Sequence, residues 1–277
     1  MRRGGKSSPA VRGGGRTERR GGLDGAGPRA ILIRMDPSRP GRARPSPAAL
    51  RLAALQIAVF AATLASCAGR GGSPSAKDAA YPFPEREAYA PAVPSKLQTA
   101  VVSGGLSLVG KSELVVNGTR YPMDCTGVVR AAYAFGGMDL AYRFAFYPGN
   151  GVARLYGTLR DAGLLYSTRY PAPGDLVFWD DTYDANGNGR ADDPLTHVGM
   201  VVEVDEAGTV SYLHHNYRRG PVVERMNLIH PGAETLFVKG VSVTVNSPLR
   251  MRGSPPGPGT TAGELFRVFG AAYKLSR

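Results

Sequence analysis

Hydrophobic positions along the chain follow two periods, one after the other. In CTGVVRAAYAF, from Cys125 to Phe135, the apolar residues Val128, Val129, Ala132, Tyr133 and Phe135 recur at helical spacing. Asp124 stands where a cap belongs and Gly136-Gly137 ends the run, so a helix is predicted from Cys125. A second helix is predicted from Asn150 through VARLYGTLRDAG, with Asn150 as cap and Gly163 as stop. Ser95 would cap an earlier one through KLQTAVVSGGLSLVG, against the helix-weakening effect of its paired glycines. ELVVNGTRYP (113–122) reads as a hairpin or an extended loop turning at Asn117-Gly118. Later the period shortens. Asp175–Trp179 (DLVFW), His197–Val204 (HVGMVVEV) and Thr209–His214 (TVSYLH) read as strands, with Asp205–Gly208 as the turn between the last two. Short strands are also predicted at Thr235–Val238 and Val241–Val245. SPPGPGTTAG reads as a loop and ELFRVFGAAYKL as a short amphipathic helix. Helices first and strands after predict an α+β domain over residues 95–277, without internal repeats.

The chain ahead of that domain has a different composition. Residues 1–50 are rich in Arg, Gly and Pro and hold no apolar run able to bury a core, so they read as a disordered basic leader. Charge follows the same division: residues 1–66 carry 13 Lys and Arg against 3 Asp and Glu, and the other 211 residues carry 21 against 19. The basicity therefore belongs to the leader, which argues against a nucleic-acid partner. Within Leu50 to Cys67, Arg51 flanks on the N-terminal side an apolar stretch of about a dozen residues, short for a membrane span and typical of a signal peptide. Its end, Leu64-Ala65-Ser66-Cys67, resembles the lipobox of bacterial lipoproteins, which implies a signal peptide over 51–66 and a diacylglycerol on Cys67. Met35 is an alternative start at a spacing more usual for such signals. Residues 67–94, rich in Gly, Ser, Pro and Ala, read as a flexible tether. The expected setting is the bacterial cell envelope, with the protein a lipid-anchored monomer.

With Cys67 lipidated, Cys125 is the one thiol left. At a helix start it meets unpaired backbone N–H groups and the positive end of the helix dipole. Both favour thiolate and would lower its pKa, and the same donors would hold an oxyanion. Acyl transfer also needs a base, and His197, opening a strand after a polar loop, suits that role. The hairpin that follows brings His214 or His215 near His197 as the group that orients its ring.

These residues carry a family resemblance. DCTGVV resembles the Asp-Cys-Ser/Thr-Gly-Leu/Val-Val signature of NlpC-type cell-wall peptidases, and PAPGDLVFW followed by THVGMVVEV resembles their Pro-Gly-Asp-Leu-Val-Phe…His-Val-Gly blocks. The related CHAP amidases share this order and a papain-like α+β fold. The resemblance covers roughly residues 95–218 and implies Cys125 as nucleophile and His197 as base, acting on amide bonds of peptidoglycan stem peptides as endopeptidase or N-acetylmuramoyl amidase. The family's third polar residue follows an apolar strand, which points to His214 in Tyr212-Leu213-His214, with His215 and Asn216 as substitutes. Tyr121, Asp124 and Thr126 flank the thiol as candidate substrate contacts. The family's Tyr-x-Trp-Gly-Gly stretch ahead of the Cys is replaced here by LVVNGTRYPM. Two other uses of the fold stay open: a non-catalytic wall-binding scaffold, and an acyltransferase working through the same thiol.

One insert departs from that pattern. In DDTYDANGNGRADDPLT, ahead of His197, Asp184, Asn186 and Asn188 fall at positions one, three and five of an EF-hand-like loop, with Gly189 at the sharp turn and Asp192 at position nine. Position twelve is Leu195, so the reading is either a weak Ca²⁺ site helped by Asp193 or a polar loop whose Asn-Gly pairs make turns. Hydrolysis by the Cys-His pair requires no cofactor.

Overall fold

Ser95 opens the first helix among the described residues of the computed structural model, which are 81–257 and 259–276. The basic leader, the signal segment, Cys67 and the start of the tether lie outside the described residues. Helix α1 spans Lys96–Leu106, and Ser95 and Gln98 cap each other reciprocally at its start. It stops before the SLVG segment (107–110). The paired glycines that weaken it serve packing: a Cβ on Gly104 would lie 2.3 Å from the Phe135 ring, and one on Gly105 2.8 Å from Met200. Strands β1 (Leu114–Val116) and β2 (Thr119–Tyr121) form the expected hairpin, with Asn117 and Gly118 both at positive φ. Helix α2 (Cys125–Phe135) and helix α3 (Gly151–Asp161) follow, capped by Asp124 and Asn150 as expected.

The remaining strands are β3 (Leu165–Tyr166), β4 (Leu176–Trp179), β5 (His197–Val204), β6 (Thr209–Asn216), β7 (Gly220–Asn227), β8 (Thr235–Val238), β9 (Val241–Thr244) and β10 (Phe266–Gly270). Six of them make one antiparallel sheet in the order β3-β10-β4-β5-β6-β7, while β8 and β9 pair separately as a hairpin. The α+β class is as expected. Two elements differ. The segment expected as a C-terminal helix, ELFRVFGAAYKL, is strand β10 followed by a short 3-10 turn, Ala272–Lys274. Strand β7 was not expected at all.

The strand in place of the expected helix follows from a sheet buried on both faces, whereas β7 lies at the sheet edge with Pro221, Glu224 and Arg225 in its run. Leu176 and Phe178 face the helices, whereas Val177 and Trp179 face a second core with Tyr212, Met226, Leu265 and Phe269. A central strand covered on both sides reads as a continuous apolar run, which periodicity does not distinguish from a buried helix. The second face is covered by the chain after β9. Two buried asparagines hold that cover: Asn227 N–H donates to Asn246 Oδ1 (2.8 Å), and Asn246 Nδ2 donates to the carbonyls of His230 (2.9 Å) and Ala233 (2.8 Å). Where described, the expected tether lies along the domain. Glu87 accepts from the Arg169 N–H (2.8 Å) and the Thr168 hydroxyl, and the Phe83 and Phe266 rings meet at 5.9 Å.

Candidate active site

The DCTG segment fixes the position of Cys125. The Asp124 carboxylate accepts from the Gly127 N–H (2.7 Å), so the thiol sits at the first position of α2. Gly127 is required by proximity, since a Cβ there would lie 1.8 Å from the Pro122 carbonyl oxygen. Gly199 of the His-Val-Gly block likewise makes room: its Cβ would meet the Trp179 ring at 3.1 Å and the Leu213 carbonyl at 3.0 Å. The Pro-Gly-Asp block is also structural. Gly174 takes a positive φ, and buried Asp175 accepts from the Ala172 N–H (2.7 Å) and the Tyr166 hydroxyl.

Cys125 and His197 line one cleft of about 230 Å³, together with Asp124, His214, His215 and Asn216. The Cys125 sulfur is approached by the Val198 N–H, adjacent to His197, and by the Thr126 N–H and hydroxyl. His197 Nε2 lies 2.8 Å from His214 Nδ1, the two rings standing nearly perpendicular. His214 is therefore the residue the β5–β6 hairpin brings to His197, and His215 and Asn216 are its neighbours on the cleft wall. His214 is 1 % exposed, and its Nε2 lies 3.0 Å from Glu224 Oε2 on β7. That is an ion-pair separation, but the ring N–H direction falls outside hydrogen-bonding geometry and leaves Nε2 with no hydrogen-bond partner among the described residues.

The electrostatics correct one expectation. The start of α2 was expected to lower the Cys125 pKa. Instead burial, and then the Asp124 carboxylate, push the thiol up, against the smaller opposing effect of the surrounding N–H groups. Burial, reinforced by His214 and His215, holds His197 well below the usual imidazole range. At rest the pair is thus a neutral thiol beside a neutral imidazole.

The other expected site residues divide. Asp124 lines the cleft. Thr126 is buried and contacts the sulfur, with no part in the cleft wall. Tyr121 is not in the cleft wall either: it packs against the core under the Arg130 guanidinium, 5.6 Å from its ring centre. In the insert, Asp184 accepts from the N–H groups of Asn188 (3.2 Å) and Gly189 (2.9 Å), and Asp192 accepts from the Asn186 and Asn188 side-chain amides. Asp193 accepts from the Ala185 N–H (3.0 Å). Among the described residues, no three His, Cys, Asp or Glu side chains are gathered as a metal ion requires.

Sequence reasoning missed the far wall of the cleft and the partner of His214. Tyr183, from the insert, and Leu249, Arg250 and Met251, from the C-terminal extension, complete the wall. The wall is tied down by the Met251 N–H, which donates to the Thr182 carbonyl (2.8 Å). Glu224 had no signal of its own, because its strand was not recognised.

The family model described as CHAP domain matches residues 116–216. No curated protein and no solved structure matches the chain significantly. The matched segment holds Cys125, His197 and His214, whereas Glu224 and the wall at 249–251 lie beyond it. Over residues 116–216 the chain is therefore similar to CHAP domains, which supports a place in the superfamily of CHAP amidases and NlpC-type cysteine peptidases, whose members are typically peptidoglycan hydrolases.

Proposed function

We propose that this domain hydrolyses amide bonds in peptidoglycan stem peptides through a thioester formed on Cys125. The observation that carries the reading is a thiol sharing one cleft with a histidine whose far nitrogen is held by a second, buried histidine. His197 takes the thiol proton as the sulfur attacks the amide carbonyl carbon, and then gives it to the nitrogen as the C–N bond breaks. Water next attacks the thioester, again with His197 as base, releasing a carboxylate and restoring the thiol. The Cys125 N–H, which no described group takes up, is the oxyanion donor. Because the resting pair is neutral, proton transfer accompanies attack and does not precede it. His214 orients the imidazole, and no step requires a cofactor.

The segment Leu64–Cys67 supports a lipid anchor that holds this domain at a membrane of the bacterial envelope, facing the wall. Release of soluble muropeptides from purified sacculi tests the activity. The full chain is expected to release them, and Cys125→Ser to reduce the rate at least ~10³-fold, as loss of an activated nucleophile does. Undiminished release by the variant would reject the thiol mechanism. No release by either protein would favour the wall-binding scaffold.

A further inference from the structure

We propose that Glu224, outside the segment matched to the family, is a positioning residue that fixes the tautomers of both histidines and so makes Nδ1 of His197 the basic atom. The inference rests on the hydrolase reading for its consequence to catalysis, but the proton positions themselves can be read without any activity.

The chain of contacts starts at the carboxylate. Glu224 Oε2 lies 3.0 Å from His214 Nε2, and both side chains are nearly inaccessible to water. A bare lone pair on Nε2 beside a carboxylate at that distance, in a dry site, would bring two negative ends together, whereas a ring N–H there is favoured by the nearby anion. The proton of His214 therefore belongs on Nε2. A neutral imidazole carries one N–H, so Nδ1 of His214 is an acceptor. That Nδ1 stands 2.8 Å from Nε2 of His197, which must then donate. The remaining nitrogen of His197, Nδ1, is left with its lone pair. It belongs to the residue adjacent to Val198, whose N–H approaches the Cys125 sulfur. Reversing the tautomer of His214 would place a proton on Nδ1 of His197 and remove the base.

Glu224 is held for this task. From β6, Tyr212 OH donates to Oε2 (3.4 Å) and Asn216 Nδ2 to Oε1 (3.4 Å), and Arg219 in the turn pairs with Oε1 from the solvent side. On its own strand the next side chain, Arg225, turns away to the Thr244 carbonyl (3.0 Å). Burial pushes the Glu224 carboxyl up, but His214, Arg219 and Tyr212 outweigh it, so the group stays ionised. His197 feels His214 and also His215 on β6, the latter itself facing Asp124 of α2. As His197 becomes imidazolium during attack, the buried anion stabilises that charge through His214.

The test combines nitrogen-15 NMR of the histidine rings with the pH profile of muropeptide release, in the full chain. In the wild type, both His197 and His214 are expected as Nε2–H tautomers at pH 8. Glu224→Ala is expected to lose that preference at both rings, and Glu224→Gln, whose side-chain oxygen still accepts, to keep it. Without the anion, Glu224→Gln should lower kcat roughly 10- to 100-fold with little change in KM, less than the ~10⁴ known for loss of a directly bonded triad carboxylate. Its acid limb should move to lower pH. Arg219→Ala, at a side chain 59 % exposed, removes a cation and should move that limb the opposite way. An Nδ1–H tautomer at His197 in the wild type, tautomers unmoved by Glu224→Ala, or limbs shifting in the same direction in the two charge variants would each overturn the assignment. If no variant or wild type hydrolyses sacculi, the hydrolase reading fails, and the ring spectra alone decide the role of Glu224.

Discussion

At Cys125, desolvation and hydrogen bonding act in opposite directions, and desolvation prevails. The first turn of α2 supplies N–H groups, but Asp124 spends one cap on Gly127 and places its own negative charge beside the sulfur. The thiol is raised above the ordinary cysteine range and His197 is held well below the ordinary imidazole range, so neither group is charged at neutral pH. Alkylation follows thiolate population. The rate for iodoacetamide at Cys125 is therefore expected to keep rising through pH 9, with no plateau below pH 8. A plateau at pH 6–8 would reveal a standing thiolate–imidazolium pair and contradict the neutral resting state. That Cys125 and His197 share one cleft was legible at this scale because Asp-Cys-Thr-Gly and His-Val-Gly each mark a position. The direction of the Cys125 shift was not, since it depends on how deeply the cleft walls bury the thiol.

Strands and helices were legible where period and punctuation agreed, as at Cys125–Phe135, His197–Val204 and the Asn117-Gly118 hairpin. They were not where tertiary burial removed the period. In β10, Val268 and Phe269 are both buried because each faces a different core, so the run looked helical. In β7, Pro221, Glu224 and Arg225 disguised a strand that lies at the sheet edge, where proline is tolerated. Missing β7 concealed Glu224, which its register sets opposite Tyr212 and diagonal to His214. Strand β4 carries its own test through Asp175 at its start. Burial raises this carboxyl from 3.8 to about 6, more than its bonds to Tyr166 and Ala172 lower it. The folded state thus holds the proton more tightly than the unfolded chain. Its stabilising effect is complete below about pH 4 and is lost as pH rises through 6, a change of about 3 kcal/mol. Urea unfolding of the wild type and Asp175→Asn across pH 4–7 should show the wild type losing that stability relative to the variant. Parallel curves would contradict the buried, proton-holding Asp175.

Across the whole domain, the cleft is assembled from separate stretches that the sheet and its cover bring together. The start of α2 supplies the thiol, β5 and β6 the histidines, the insert Tyr183, and the chain after β9 the wall at Leu249–Met251. The matched family segment holds the thiol, both histidines and the insert, whereas the wall at Leu249–Met251, in the C-terminal extension, lies beyond it. The Asn227–Asn246 pair holds that extension in place from inside the second core. The central claim, a covalent step at Cys125, is most directly tested by acid-quenched mass spectrometry of the full chain mixed with defined muropeptides. The account predicts a transient acyl adduct on the peptide containing Cys125 that appears before free product and decays with turnover. Product formation with no adduct at any quench time, or with the adduct on another residue, would contradict it.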